Sequence, residues 1–484
     1  MELPADIAET HSSVVFFVGD RAYKLKKPLD LGFLDHRSRE ARARSCHLEV
    51  ELNQRLSPDV YLGVADIWGP DGELSDHLVV MRRLPTERRL STLITDGQSC
   101  VGHLWQLARL IADLHAGSPR SPEADHAAGA AATRARWDAN TDGMRAMHGP
   151  IDSSLIERVD ALAHAYLDGR EPLFDARVIE GRAADGHGDL LADDIFCLAD
   201  GPRVLDCLDF DEQLRLGDGL ADVAFLAMDL ERLGRPDLGL SFLDAYREHR
   251  SDAWPASLAH HHIAYRAQVR AKVTAIRALQ GDPQAGEAAI DLMQLAIDHL
   301  EAGQVRLILV GGLPGTGKST LAAGLGHDLH ATVLRTDAIR KELAGIPETT
   351  SAPAPFERGI YSPESTTRTY ETMLDRARVA LTMGETVVLD ASWVDGRLRS
   401  MARQVGAATH AEVVELRCQT TAAVAAERMA RRFDRGGDPS DARPEIATSM
   451  GDAMDAWPEA VSIDTSGEPV TARRAARDIL VAPA

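Results

Sequence analysis

Short apolar runs alternate with helix-length segments over the last third of the chain, and this alternation predicts a parallel α/β sheet. The candidate strands are Arg306–Val310, Thr332–Thr336, Thr386–Ala391, Ala411–Cys418 and Ala460–Asp464. Continuous apolar runs are typical of parallel strands, because helices cover both faces of such a sheet. Since ligands bind at the carboxyl ends of the strands, we expect functional side chains directly after these runs.

The preceding part of the chain predicts antiparallel strands and many helices. Ser13–Val18 and Arg21–Lys26 have the composition of two strands, and Gly19-Asp20 between them is a tight-turn sequence. A helix is predicted from His36 to Leu56, and His77–Met81 predicts a further strand. These elements indicate a small α+β lobe at the start of the chain.

Two helices are predicted between Trp254 and Gly303, with a break at Gly281-Asp282-Pro283 and a polar helix surface at His260–His262. A chain of 484 residues is too long for one hydrophobic core. We therefore predict two domains: residues 1–302 with an α+β fold, and residues 303–484 with a parallel-sheet α/β fold.

The segment Gly312–Ser319 has the complete Walker A phosphate-binding sequence and lies between a predicted strand and a predicted helix. Its glycines let several backbone N–H groups face a phosphate, and the helix dipole favours an anion there. Lys318 brings a cation to the outer phosphates, and the Ser319 hydroxyl is a natural Mg²⁺ ligand. The predicted nucleotide-binding residues of this loop are Gly312, Gly315, Thr316, Gly317, Lys318, Ser319 and Thr320.

Two acids follow predicted strands of the same sheet. Asp390 ends an apolar run, which fits a Walker B acid that holds Mg²⁺ directly or through water; a helix N-cap is the alternative role. Asp337 can accept a proton from a substrate hydroxyl, and Arg340, one helical turn later, can hold the substrate or a phosphate. This arrangement resembles the P-loop small-molecule and polynucleotide kinases.

In that family an arginine-rich lid follows, and Glu427–Arg435 is the candidate lid here. Arg428 and Arg432 lie on one side of the predicted helix and are predicted to clamp transferring phosphates. A solvated basic helix face is the alternative for each arginine.

A second group of acids lies in His187-Gly188-Asp189 and the residues that follow. Asp194 comes five residues after Asp189, and Asp209 comes after a further short hairpin, which is the spacing of the kinase catalytic and metal-binding residues. The segment resembles the aminoglycoside phosphotransferase and choline kinase branch of the protein-kinase fold. The stretch Asp218 to Asp222 resembles the sequence that follows the metal aspartate in that branch.

The resemblance implies that Asp189 orients or deprotonates the attacking hydroxyl, while Asp194 and Asp209 hold Mg²⁺ on the ATP phosphates. Asp194 stands where the family has asparagine, and it adds a negative charge to the site. Lys24 is the predicted phosphate-binding lysine, with Lys26 and Lys27 as alternatives. Glu49 is its predicted partner, with Glu40 as the alternative.

The composition of the chain limits the classes of binding partner that we expect. The formal net charge is −21, and no lysine- or arginine-rich tract is present, so binding to duplex nucleic acid is not expected. The five cysteines form no Cys-x-x-Cys pair, which favours reduced thiols and a cytoplasmic location. We expect neither a signal peptide nor a membrane span.

The order of motifs resembles bacterial bifunctional proteins in which an aminoglycoside phosphotransferase-like kinase domain is fused to a P-loop kinase or AAA-type ATP-binding domain. The resemblance implies an enzyme that uses ATP and Mg²⁺ to phosphorylate hydroxyl groups of small molecules at two separate nucleotide sites. One alternative is that one domain binds ATP only to regulate the other. A further alternative is that the P-loop domain is a polynucleotide 5′-hydroxyl kinase.

Overall fold

A computed structural model describes residues 6–9, 12–30, 35–347, 350, 358–435 and 444–481. The chain divides into two compact units. The first unit comprises Met1–Ala161, Phe174–Trp254 and Ala259–Leu300, and the second comprises Leu162–Leu173, Pro255–Leu258 and Glu301–Ala484.

The first unit begins with a five-stranded antiparallel sheet in the order β1-β2-β3-β5-β4. Helix α1 packs on this sheet, and Cys46 of the helix lies in one core cluster with Ala22, Tyr61 and Val79 of the strands. The bounds are β1 Asp6–Glu9, β2 Ser13–Val18, β3 Arg21–Lys26, α1 Arg39–Gln54, β4 Tyr61–Trp68 and β5 Leu74–Arg82.

A mainly helical region follows, and it contains two small two-stranded sheets. Strand β6 pairs with β9, and β7 pairs with β8, in both cases antiparallel. The strands are β6 Ala183–Asp185, β7 Ile195–Leu198, β8 Gly201–Val204 and β9 Leu216–Asp218. The helices are α2 Leu90–Thr95, α3 Val101–Gly117, α4 Pro122–Ala128, α5 Ala130–Ala146, α6 Ser153–Asp168, α7 Glu171–Ile179, α8 Gly219–Arg232, α9 Pro236–Arg250, α10 Ala256–Leu279 and α11 Ala285–Ala302.

The second unit contains a five-stranded parallel sheet in the order β11-β12-β10-β13-β14. Its core joins Ile308, Val388 and Leu416 of the strands to Leu321 and Ala476 of the flanking helices. The strands are β10 Arg306–Gly311, β11 Thr332–Arg335, β12 Val387–Asp390, β13 Glu412–Gln419 and β14 Val461–Asp464. The helices are α12 Lys318–Asp328, α13 Thr336–Leu343, α14 Pro363–Thr382, α15 Gly396–Ala408, α16 Ala422–Arg435, α17 Pro444–Asp452 and α18 Pro469–Val481.

The predicted α+β and parallel α/β classes are both confirmed, and the predicted strands agree with the observed ones to within a few residues. The prediction for His260–His262 was wrong. His261 and His262 are 1% and 3% exposed, because Trp137 and Phe174 cover this side of α10. Within the described part of the chain, no helix combines the length and the apolar character that a bilayer crossing requires.

Candidate active sites

In the first unit, two lysines contact the carboxylate of Glu49, and each of these lysines also contacts an aspartate. Lys24 and Lys26 alternate on β3 and therefore point to the same face of the sheet. Their Nζ atoms lie 2.9 Å and 2.6 Å from the two carboxylate oxygens of Glu49, which is 1% exposed. Lys24 also lies 2.5 Å from Asp206 Oδ1, and Lys26 lies 2.8 Å from Asp209 Oδ2. The structure thus brings together Lys24 and Glu49, the pair that the sequence suggested.

Of the three alternatives, Lys26 also contacts Glu49, at 2.6 Å, whereas Glu40 and Lys27 lie elsewhere. Glu40 is exposed and lies 3.6 Å from Arg39. Lys27 contacts Glu9 at 2.6 Å. Burial by itself lowers the pKa of Lys24, but the carboxylates of Asp206 and Glu49 outweigh burial and hold that pKa well above its usual range. Lys24 is therefore charged throughout the neutral range.

The loop that carries Asp189 is fixed from behind by the first turn of α8. The backbone N–H groups of His187 and Gly188 donate to the two oxygens of Asp222, at 2.9 and 2.8 Å. His115 Nε2 lies 3.0 Å from the same carboxylate, and its Nδ1 lies 2.8 Å from the Tyr246 hydroxyl. Burial raises the pKa of Asp222, but the contact with His115 outweighs it and the pKa is lowered. An ionised Asp222 therefore anchors the loop.

The end of the same loop is anchored by Asp229, which lies seven residues after Asp222 on α8. The N–H of Ala192 donates to Asp229 Oδ2 at 2.9 Å. Gly188 has a φ of 86°, and a Cβ there would lie 3.1 Å from Leu208 Cβ. Glycine is therefore required between His187 and Asp189, because a side chain would be strained and crowded.

Asp189 is partly buried at the edge of this loop. Burial raises its pKa, while the positive charges of Arg270, His187 and Arg266 act in the opposite direction. A carboxylate whose pKa is raised is a better proton acceptor than an ordinary aspartate.

Asp194 and Asp206 are two further acids whose charges interact with each other and with Asp189. Burial and the negative charges of Asp206 and Asp189 raise the pKa of Asp194 well above its usual range. Lys24 lowers the pKa of Asp206, whose side chain is 54% exposed. Carboxylates that repel each other in this way fit a divalent cation, because a cation removes the repulsion.

The position of Asp206 was not singled out from the sequence, which favoured Asp209 as the metal ligand. Asp206 comes two residues after the end of β8, has a φ of 62° and contacts Lys24. Asp209 instead accepts hydrogen bonds from Lys26 at 2.8 Å and from the Ser45 hydroxyl at 3.1 Å. The signal in the sequence was the end of the apolar strand Val204-Leu205, since Asp206 is the first residue after it.

The Walker A loop of the second unit joins β10 to α12. Gly315 has a φ of 82°, and a Cβ there would lie 2.5 Å from the Ala425 carbonyl oxygen. The Thr316 hydroxyl donates to Leu313 O at 2.7 Å, and the Thr465 hydroxyl donates to Thr316 O at 2.5 Å. Side-chain hydrogen bonds thus hold the loop in shape.

The cationic and hydroxyl groups of this loop are available for a ligand. Lys318 and Ser319 are partly buried and Thr320 is exposed. Among the described residues, none accepts a hydrogen bond from the Lys318 ammonium, and no carboxylate forms an ion pair with it. A cation without a carboxylate partner beside backbone N–H groups fits a phosphate.

Asp390 ends β12, next to β10 in the sheet, and is 4% exposed. Its Oδ2 lies 3.1 Å from Arg335 Nε, while its Oδ1 is buried and has no hydrogen-bond partner within the described ranges. A buried carboxylate oxygen without a partner is costly unless an ion or a water satisfies it. This observation fits the predicted metal role of Asp390 better than the N-cap role.

Asp337 and Arg340 lie three residues apart on α13 and form an ion pair, with 3.0 Å between Asp337 Oδ1 and Arg340 Nη1. The Arg340 guanidinium also lies over the ring of Tyr361, 4.7 Å from its centroid. The predicted base and the predicted substrate-binding arginine therefore share one small cluster.

The predicted lid residues differ from one another. Arg428 of α16 donates to Thr465 O at 2.7 Å and lines a cavity of about 120 Å³ with Gly317, Thr320 and Gly467. Arg431 is exposed and pairs with Glu427, as expected for a solvated face. The side chain of Arg432 lies outside the described residues. Arg428 is therefore the lid arginine that the structure places beside the phosphate loop.

The fold and the two sites define a protein in which an aminoglycoside phosphotransferase-like kinase fold is joined to a P-loop kinase fold. A family model described as an AAA domain matches residues 307–456. The chain is 42% identical over 463 residues to the Mycobacterium tuberculosis protein Rv2004c, an uncharacterized protein, and this match spans 96% of the chain and 92% of the mycobacterial protein. The chain belongs to the same family as Rv2004c.

Solved structures resemble each part separately. A choline/ethanolamine kinase family protein from Mesorhizobium loti is 13% identical and covers 61% of this chain and 92% of its own, with a TM-score of 0.38. A gluconokinase from Sinorhizobium meliloti is 17% identical and covers 36% of this chain and 91% of its own, with a TM-score of 0.27. Neither similarity decides an activity or a substrate.

Proposed function

We propose that the chain is an ATP- and Mg²⁺-dependent phosphotransferase with two catalytic centres, each acting on a hydroxyl group of a small molecule. The observation that carries the proposal is the arrangement of Asp189, Asp194 and Asp206 around the ion pair of Lys24 and Glu49. This arrangement combines a proton acceptor, two possible metal ligands and a phosphate-binding cation. The Walker A loop supplies the second centre.

In the first centre the charges themselves support a metal. Asp206 contacts Lys24, whose charge Glu49 already partly offsets, and Asp194 interacts with the negative charges of both Asp206 and Asp189. A polyphosphate would therefore be repelled unless a divalent cation came with it. Asp194 and Asp206 are the proposed ligands of that cation. Asp209 keeps a supporting role, because Lys26 and Ser45 already use its carboxylate.

ATP, when bound, supplies the phosphoryl group, and Mg²⁺ offsets the charge of its phosphates. Asp189 takes the hydroxyl proton of the acceptor while the oxygen forms its new bond to phosphorus and the bond to the leaving ADP breaks. Lys24 steadies the phosphates by exchanging its contact with Asp206 for a phosphate oxygen. The protein mainly positions groups and balances charge.

In the second centre Lys318 and the loop N–H groups bind phosphates, and Ser319 and Asp390 are the proposed metal-binding residues. Asp337 is the proposed proton acceptor, and Arg340 is the proposed contact to the acceptor or to a phosphate. Arg428 closes the side of the phosphate loop. Among the described residues, the Lys318 ammonium and the buried Oδ1 of Asp390 have no partner, and this supports these roles.

The test is a metabolite-library screen with ATP, in which phosphorylated products are identified by mass. The Lys318→Ala chain reports on the first centre, and the Asp189→Asn chain reports on the second. We expect each variant to lose a different set of products, while the exposed-surface variant Asp200→Asn retains both sets. Retention of every product in the double variant would contradict the proposal.

The same screen separates the alternative functions. Nucleotide binding by a centre that yields no product with any acceptor would favour a regulatory ATP site. Labelled phosphate on a 5′-hydroxyl oligonucleotide, lost in the Lys318→Ala chain, would instead identify the second centre as a polynucleotide kinase.

A further inference from the structure

Two arginines of α10 lie on the acceptor side of the first centre. Arg266 and Arg270 are four residues apart and therefore share one face of the helix. The Arg266 Nε donates to Ala221 O at 2.9 Å, and its guanidinium lies 4.7 Å from the centroid of the Phe225 ring. Ala221 precedes Asp222, the residue that anchors the catalytic loop, so Arg266 is fixed close to that loop.

Arg266 also lines a cavity between α5, α10 and the start of α8. Among the other lining residues are Arg136, Arg215, Asp218 and Asp222. The two carboxylates already have partners: Asp218 binds Arg177 through both oxygens at 2.7 Å, and Asp222 binds the catalytic loop and His115. They are therefore not available to neutralise the arginines of the cavity.

The arginines of this cavity are unequal. Arg215 has a carboxylate partner in Asp185, at 2.9 Å. Arg136 donates to Ala127 O at 2.7 Å and to the Thr133 hydroxyl at 3.2 Å. Neither Arg136 nor Arg266 is paired with a carboxylate among the residues that the structure describes. Arg136 and Arg266 therefore face the cavity with no carboxylate bound to their guanidinium groups among the described residues, although the ionised Asp222 lines the same cavity.

Arg270 lies one helical turn after Arg266 on the same face of α10. It is partly buried and forms neither a hydrogen bond nor an ion pair with any residue in the described ranges. Its charge is the largest influence that opposes burial at Asp189, and Arg266 acts in the same direction. The charges of both guanidinium groups thus act on the proposed proton acceptor.

We propose that the acceptor of the first centre carries an anionic group, a phosphate or a carboxylate, that Arg266 and Arg270 bind while its hydroxyl faces Asp189. The inference rests on the function proposed above and names the class of acceptor for that centre. Guanidinium groups match both anions through paired N–H donors. Guanidinium groups to which no carboxylate is bound favour an anion over a cation, so amino sugars are disfavoured as acceptors.

A binding experiment tests the anion site without relying on turnover. The full chain is saturated with Mg²⁺ and a non-hydrolysable ATP analogue, and inorganic phosphate is titrated at constant ionic strength by calorimetry. We expect Arg270→Ala and Arg266→Lys each to weaken phosphate binding about tenfold, or about 1.4 kcal/mol. Arg277→Ala is the matched control, because Arg277 lies on the same helix but pairs with Asp282.

Unchanged phosphate affinity in both variants, or no phosphate binding by the wild-type chain, would overturn the inference. Arg270→Ala is the decisive variant because the side chain forms no hydrogen bond or ion pair with the described residues, and its melting temperature is expected to match that of the wild type. Arg266→Lys retains a charge and tests the paired donors.

A turnover experiment then distinguishes the sources of the anion. ADP release by the Lys318→Ala chain is compared with one sugar alcohol in neutral, phosphorylated, carboxylate and amino forms. We expect the phosphorylated or the carboxylate form to be preferred, and Arg270→Ala to remove the preference. Preference for the neutral or amino form would contradict the inference. If none of these acceptors leads to ADP release, the result counts against the proposed function. The phosphate titration decides the anion site independently.

Discussion

At the scale of single residues, the two centres handle charge in opposite ways. The first brings the negative charges of Asp189, Asp194 and Asp206 together, and the pKa of Asp194 is raised because burial and its acidic neighbours disfavour its charge. In the second, the described residues provide no carboxylate partner for Lys318 and no hydrogen-bond partner for the buried Oδ1 of Asp390. The first centre therefore depends on a cation to accept a nucleotide, while the second offers a cation to its phosphates.

Asp206 and Asp209 are the two alternative metal ligands of the first centre, and their comparison gives a prediction at the residue scale. Asp206→Asn removes the acid that contacts Lys24, and we expect it to weaken Mg²⁺-dependent nucleotide binding at this centre by about tenfold or more, because a charged ligand is lost. Asp209→Asn leaves Asp206 in place and should have a clearly smaller effect. Nucleotide titrations at varied Mg²⁺, in the Lys318→Ala chain, measure both.

A larger loss in Asp209→Asn than in Asp206→Asn would restore the assignment that the sequence favoured. The sequence could not decide between them, because both acids follow the same apolar strand within four residues. What separates them is the left-handed conformation of Asp206, at a φ of 62°, which turns the chain after β8. The pair of Lys24 and Glu49 was predicted from the resemblance to the kinase fold. Strand periodicity alone could not separate Lys24 from Lys26, because both point to the same face and contact Glu49.

At the scale of elements, α8 organises the first centre although it supplies no reacting group. Asp222 and Asp229 are seven residues apart on this helix, and they accept hydrogen bonds from the two ends of the loop that carries Asp189. The sequence analysis identified the stretch Asp218 to Asp222 by its resemblance to the kinase branch. It did not predict the contact with the loop, because that contact depends on how distant segments pack.

Removal of this anchor gives an element-level prediction. Asp222→Ala leaves two buried N–H groups without their acceptor, and the loop is expected to shift. We expect the kcat of the first centre to fall by about a hundredfold, because a displacement of about 1 Å has effects of that size. Nucleotide affinity should change little.

Steady-state ADP release by the Lys318→Ala chain measures the effect, and Asp237→Ala at the start of α9 is the surface control. Equal losses of nucleotide affinity and of kcat would indicate general unfolding of the site instead of misplacement of Asp189.

Helix α10 carries a second element-level prediction, which concerns acid stability. Burial lowers the pKa of His262 to about 3. A histidine whose pKa is depressed in the folded state stabilises the fold above its ordinary pKa, and this stabilisation is lost as the pH falls toward the folded value. Between pH 7 and pH 5 the loss is about 2 kcal/mol from this group.

His262→Phe removes the titrating group while keeping an aromatic ring against Phe174, so the free energy of unfolding should fall less steeply between pH 7 and pH 5. Denaturant unfolding at a series of pH values measures the slope. The exposed His47 gives the matched control, and His47→Phe should leave the slope unchanged. A slope that His262→Phe does not alter would contradict the burial argument.

At the scale of the whole molecule, the chain joins two phosphate-handling folds in a strongly acidic protein of net charge −21. The fold classes of both parts could be predicted from local patterns, because parallel strands and the Walker A loop have strong sequence signals. The acceptor sites could not, because Arg266, Arg270 and Arg136 come from two helices whose packing no motif specifies. The charge of these sites is therefore the feature that indicates the class of substrate.

The central claim is that the chain holds two separate nucleotide sites, and equilibrium binding of a non-hydrolysable ATP analogue in the presence of Mg²⁺ tests it most directly. We predict two molecules bound per wild-type chain, one per Lys318→Ala chain, one per chain with Lys24→Ala and Asp206→Asn, and none when all three changes are combined. A single molecule bound to the wild-type chain, or loss of both molecules in the Lys318→Ala chain, would contradict the account.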